Sequence, residues 1–99
     1  MVRINWTFQA REDLKAIAEY ISKDSKRYAK LQVIRLKNRT KILKTHIHLG
    51  KIVPEFSREN IRELIEGNYR IIYKIVSNNQ IDILTIHHSY KDLTKRKIE

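Results

Sequence analysis

Val2, Ile4 and Trp6 alternate with Arg3, Asn5 and Thr7, the period-2 signature of a strand with one face buried. From Phe8 the spacing changes. Ala10, Leu14, Ile17, Ala18 and Ile21 recur at helical intervals, with Arg11, Glu12, Asp13, Lys15 and Glu19 on the other side. Thr7 is placed to cap this helix, and Glu12 and Asp13 fall early, where the helix dipole favours carboxylates. Ser22-Lys23-Asp24-Ser25 interrupts the pattern, and Ser25 can cap a second helix. There Ala29, Val33, Leu36, Leu43 and Ile47 make an apolar stripe that predicts helix to about His46, while Lys30, Arg35, Lys37, Arg39, Lys41 and Lys44 crowd the remaining surface. A short polar turn between two such segments predicts an antiparallel helical hairpin.

Gly50 ends the helical region, and Val53-Pro54-Glu55 reads as a loop because the residue before a proline is pushed toward extended conformations. Three β-branched or aromatic runs follow, Ile61 to Glu66, Tyr69 to Val76 and Ile81 to His88, separated by Gly67-Asn68 and by Ser77-Asn78-Asn79-Gln80. Turns this short join antiparallel neighbours. Tyr69, Ile71, Tyr73 and Ile75 share one face of the middle run and Arg70, Ile72, Lys74 and Val76 the other. Both faces are mostly apolar, which predicts a central strand. Asp92 to Glu99 is polar and basic, a short helix or a frayed tail. The fold expected is a single α+β domain over residues 1–99, ordered β-α-α-β-β-β, with the helical hairpin on one face of a largely antiparallel sheet.

Composition narrows the function classes. The chain has 99 residues, 21 Lys and Arg against 11 Asp and Glu, a formal net charge of +10 and a pI near 10.0. It has no cysteine, which removes disulfide scaffolds, thiolate metal sites and thiol nucleophiles and suits a reducing cytoplasm. The N-terminal stretch carries no apolar signal core, and no window approaches the roughly 20 apolar residues of a membrane-spanning helix. A chain of this length buries about two-thirds of its unfolded surface, enough for one thin two-layer core and too little for a deep substrate cavity.

The positive charge concentrates polyanions, either nucleic acid or an acidic protein; a solvated helix face is the alternative for Lys30, Lys37, Lys41 and Lys44 taken singly. Four histidines occur as His46-x-His48 and as adjacent His87 and His88, neither pair with the third ligand that a zinc site requires. Adjacent His87 and His88 point to opposite faces of a strand, so one can enter the core while the other faces a site. Arg70 lies on a strand that reads as buried on both sides, so it is either paired structurally with Glu63 or Glu66 or held ready for an anion. Tyr69 and Tyr73, on the opposite face, read as core. No glycine-rich phosphate loop or Ser-His-Asp pattern is present.

Trp6 followed by Ala10-x-x-Asp13-Leu14, Ala29 early in the second helix, Gly50-x-x-x-Pro54-Glu55, Arg62-Glu63-Leu64, Gly67-Asn68-Tyr69-Arg70-Ile71-Ile72-Tyr73 and a last strand ending Ile86-His87-His88 occur in this order. Over nearly its whole length the chain resembles the RelE/ParE superfamily of toxins from bacterial type II toxin-antitoxin, or plasmid stabilisation, modules. Its Arg-Glu-Leu stretch and Tyr-Arg-Ile-Ile-Tyr strand are more similar to the ParE branch.

The resemblance implies a cytoplasmic bacterial toxin neutralised by a cognate antitoxin with an acidic segment. Its target would be DNA gyrase, as in the ParE branch, or mRNA on the ribosome, cut without a metal as in the RelE branch. Neither activity calls for a cofactor. For RNA cleavage the resemblance implies Glu55, Arg70 and His88, with Tyr90 as a further proton donor, provided the fold brings them together. For gyrase, or for nucleic acid, Lys91, Lys95, Arg96 and Lys97 would supply charge near the C-terminus. Two features depart from the family pattern. The stretch before Gly50 lacks a proline, and Ser89-Tyr90-Lys91-Asp92 stands where many relatives carry an arginine after the last histidine. That second departure favours gyrase, whose poisoning needs a surface that traps a protein-DNA intermediate and no catalytic cluster. A non-toxic nucleic-acid-binding module is the remaining alternative.

Overall fold

The computed structural model describes residues 2–88, and the elements run β1 (Arg3–Trp6), α1 (Phe8–Ser22), α2 (Lys26–Thr40), a 3-10 turn (Lys41–Lys44), β2 (Lys51–Ile52), β3 (Ile61–Glu66), β4 (Tyr69–Ser77) and β5 (Gln80–His88). The expected tail helix over Asp92 to Glu99 lies outside the described residues. The five strands form one sheet in the order β1-β5-β4-β3-β2. Pairing is antiparallel throughout except for β1 beside β5, which is parallel; both helices carry the chain from β1 to β2 at the opposite edge, and β3, β4 and β5 lead back to β1. β4 is the middle strand, as its two apolar faces require. Gly67 takes φ 59° in the two-residue turn from β3 to β4, a conformation that glycine adopts without penalty.

Local signals explain both helix starts. The Thr7 hydroxyl accepts the amide of Ala10, and the Ser25 hydroxyl accepts that of Tyr28. Asp13, expected to interact with the helix dipole, lies beyond the first turn and is buried. Its carboxylate instead accepts from the Thr85 hydroxyl, from the Ile86 amide at 3.1 Å and from Gln9 at 2.8 Å, fastening α1 to β5.

Two elements differ from the periodicity. The α-helix stops at Thr40 rather than near His46. The Thr40 hydroxyl donates to the Lys37 carbonyl at 2.7 Å, and the Lys41 amide bonds the carbonyl of Asn38, so the chain tightens into a 3-10 turn that buries Leu43 completely. After Gly50, Lys51 and Ile52 pair with Glu63 and Arg62 as a short edge strand. Two exposed residues carry no alternating pattern to announce it.

The main core lies between the hairpin and the sheet, where Leu14, Leu36 and Leu43 meet Leu64, Ile71, Tyr73, Ile83 and Ile86. A second, smaller core lies on the opposite face, where Val53 and Phe56 cover Ile61, Ile72 and Leu84. The single two-layer core expected from length is thus supplemented by a loop, Val53 to Asn60, folded as a strap over the other side of the sheet.

Candidate functional site

The strap, β3 and β4 converge on Arg70. Ile61, Glu63 and Ile65 of β3 pair with Lys74, Ile72 and Arg70 of β4, so Glu63 stands diagonally beside Arg70 on the face away from the helices. Val53 is fully buried and Phe56 packs beside it, which delivers Glu55 to the same point. Ser57 adopts φ 49°, held by its amide on the Val53 carbonyl at 2.9 Å and its hydroxyl on the Pro54 carbonyl at 3.1 Å. The guanidinium then donates through every nitrogen: Nε to Glu63 at 2.7 Å, Nη1 to Glu55 at 2.7 Å, and Nη2 to Glu55 at 2.8 Å and to Glu63 at 3.2 Å. The Glu55 bonds, followed by those of Glu63, hold the Arg70 pKa far above its ordinary value. The arginine is 7% exposed and Glu63 6%. Two carboxylates thus surround the one guanidinium. Of the two partners weighed for Arg70, Glu63 is engaged; Glu66 pairs with Tyr69 in the strand register and makes no ion pair with Arg70 among the described residues.

A register shift decides which histidine faces this cluster. Ile72 pairs with Thr85 and Tyr73 with Ile83, leaving Leu84 as an extra residue. Without the bulge, Ile83 and Ile86, three residues apart, could not both face the helices as they do. The bulge turns Leu84 into the second core and Thr85 toward Asp13, and brings His87 opposite Arg70. His88 pairs with Tyr69, whose ring centroid lies 5.4 Å from its own. Glu55 and Arg70 therefore meet, while His88 lies against Tyr69, a residue packed on the main core. Tyr90, Lys91, Lys95, Arg96 and Lys97 lie outside the described residues.

A second feature was not read from the sequence. Between β1, α1 and the end of α2 runs an open groove of about 730 Å³. Ile4, Trp6, Leu14, Ala18 and Val33 line its apolar floor, and Arg11, Lys15, Lys37, Lys41 and Lys44 its rim. Among the described residues no aspartate or glutamate lines it, and none of the five cations is in an ion pair. The signal was available: Lys26 to Pro54 contains nine Lys and Arg and not one Asp or Glu. Among the described residues no three His, Asp or Glu side chains gather as a metal site requires, and no helix is long and apolar enough to cross a membrane.

Fold and surface together define a small basic α+β protein with a carboxylate-paired arginine on one sheet face and a cation-rimmed groove beside the edge strand. The model of a family described as the ParE toxin of the type II toxin-antitoxin system, parDE, matches residues 4–93, and the chain belongs to that family. Among solved structures, a chain described as the chromosomal ParDE TA system from P. aeruginosa superposes with a TM-score of 0.73 at 25% identity, covering 89% of this chain and 96% of that one. No curated protein sequence gives a significant match.

Proposed function

We propose that this ParE-family toxin acts in the bacterial cytoplasm, is held inactive by a cognate antitoxin whose acidic amphipathic segment lies in the groove, and arrests growth by trapping DNA gyrase rather than by cutting RNA. The observation that carries the antitoxin reading is the groove. Its apolar floor suits the stripe of an amphipathic helix, and its five cations, in no ion pair among the described residues, suit flanking carboxylates. Support for gyrase over mRNA comes from Arg70. A nuclease needs a cation on the scissile phosphate, and here each nitrogen of the guanidinium already faces a carboxylate. A poison that acts by binding has no such requirement. The endoribonuclease alternative draws its support from the contact between Glu55 and Arg70, which supplies two of its three groups at one place.

The test is expression in bacteria, alone and together with the neighbouring reading frame. Growth should stop in the first case and recover in the second, and the arrested cells should accumulate chromosomal double-strand breaks. Codon-phased mRNA cuts with intact DNA, lost in His88→Ala, would establish the endoribonuclease instead. Unimpaired growth with abundant folded protein would leave the non-toxic nucleic-acid-binding module.

A further inference from the structure

The cations of this molecule fall into two groups. Some are engaged: Arg70 by two carboxylates, Arg62 by the carbonyls of Glu59 at 2.9 Å, Gly50 at 2.9 Å and His48 at 3.3 Å, and Arg39 of α2 by the Ile65 carbonyl at 3.2 Å. Among the described residues, four lysines of α2 and its 3-10 continuation are not. Lys30, Lys37, Lys41 and Lys44 recur at intervals of seven, four and three along one side of α2 and its 3-10 continuation, and all four are exposed. No ion pair joins any of them among the described residues. Eleven helical steps and three 3-10 steps make this row about 22 Å long. Its last three members are about 6 Å apart along the axis, close to the separation of neighbouring phosphates on a nucleic-acid strand.

We infer that this lysine row binds the phosphate backbone of duplex DNA without reading its sequence. The inference deepens the gyrase reading by giving the toxin its own contact to the DNA of the trapped intermediate, and it rests on that reading for its purpose but not for its measurement. Duplex is favoured over single strands on two grounds. The row contains no aromatic side chain on which an unstacked base could lie. It is also held at fixed spacing by helical backbone, as the phosphates of a duplex are and those of a flexible single strand are not.

The test is fluorescence anisotropy of the full chain on a labelled duplex of about two helical turns, repeated across a salt series. Four phosphate contacts should give a slope of log K against log salt of about −3.6. Replacing Lys37, Lys41 and Lys44 by Gln should reduce its magnitude by about 2.7. A second variant, Arg3→Gln with Lys23→Gln and Lys51→Gln, removes the same charge away from the row and should keep the slope. Equal losses in the two variants would overturn the inference, as would tighter binding to a single-stranded RNA of equal length or no binding at low salt. Binding is read on purified protein and growth arrest in cells, so either can fail while the other stands.

Discussion

The carboxylate of Glu55 grips the guanidinium of Arg70 through two parallel bonds of 2.7 and 2.8 Å, tying the strap to the middle strand of the sheet. Fork-to-fork pairing of this kind is directional, and a lysine cannot reproduce it. Arg70→Ala would leave Glu63 buried without its partner, at a cost of about 3–5 kcal/mol. Glu55→Gln should cost less, because that side chain is 20% exposed and Glu63 still balances the arginine. Urea denaturation of both variants gives the ranking. A midpoint for Arg70→Ala no lower than that for Glu55→Gln would show that the arginine is not the fastening. Loss of toxicity in Arg70→Ala therefore counts as loss of function only in protein shown to be folded.

The contrast between Glu55 and His88 shows how far the sequence could be read. The identity of every strand but β2, the central place of Tyr69 to Val76 and both helix caps followed from periodicity and capping chemistry, because each is set by residues within a few positions. The meeting of Glu55 with Arg70 depends on Val53 and Phe56 finding a second apolar surface, which no local pattern encodes. The separation of His88 from Arg70 depends on one extra residue, Leu84, whose bulge reverses the alternation for the rest of β5. The groove went unread because its walls come from four elements, β1, α1, α2 and the 3-10 turn, and each lysine taken alone is an ordinary solvated charge.

Tyr73 gives a pH-dependent prediction. Its buried hydroxyl donates to the Ile47 carbonyl at 2.9 Å and accepts the Gly50 amide at 2.8 Å, closing the exit from the 3-10 turn. Burial raises its pKa, with partial opposition from the Gly50 bond. Above pH of about 10 the unfolded chain ionises this phenol while the folded chain does not. The unfolded state then binds fewer protons, and stability falls as pH rises toward the folded value. Tyr73→Phe should cost about 1–3 kcal/mol at neutral pH by stranding the two backbone groups. It should also lose stability less steeply than the wild type in alkaline denaturation series. Parallel curves for the two proteins would show that Tyr73 does not carry this term.

Gly50 makes the same region sensitive to added bulk. A Cβ there would lie 2.5 Å from the Tyr73 hydroxyl and 2.8 Å from the Glu63 carbonyl oxygen. The second contact is backbone and cannot swing aside. Gly50→Ala should destabilise by about 1–3 kcal/mol through overpacking, and combining it with Tyr73→Phe should relieve little of that, because the clash with the carbonyl remains. A double variant restored to the stability of Tyr73→Phe alone would place the whole clash on the tyrosine.

Asp13 tests the link between helix and bulge. Its carboxylate holds the Thr85 hydroxyl and the Ile86 amide, the two residues immediately after the extra Leu84. Asp13→Ala should expose the Ile86 amide to faster hydrogen exchange and weaken the β5 end nearest His87, while the β3 to β4 ladder keeps its protection. A uniform loss of protection across all strands would mean that Asp13 stabilises the whole fold and does not act on the bulge in particular.

The groove and the lysine row share Lys37, Lys41 and Lys44. An acidic helix seated on the apolar floor would lay its carboxylates against these ammonium groups, and the same groups cannot then neutralise phosphates. Toxin co-purified with its antitoxin should therefore bind duplex DNA at least tenfold more weakly than free toxin at equal salt, and adding DNA should not dissociate the complex, since only the protein helix also buries apolar surface. Ala18→Glu places a carboxylate on the groove floor without touching the row. It should weaken the antitoxin while leaving free-toxin DNA binding nearly unchanged, and anisotropy together with calorimetric titration separates the two effects. If the antitoxin complex held duplex as tightly as free toxin does, the two ligands would occupy different cations, and neutralisation would have to act somewhere other than the row.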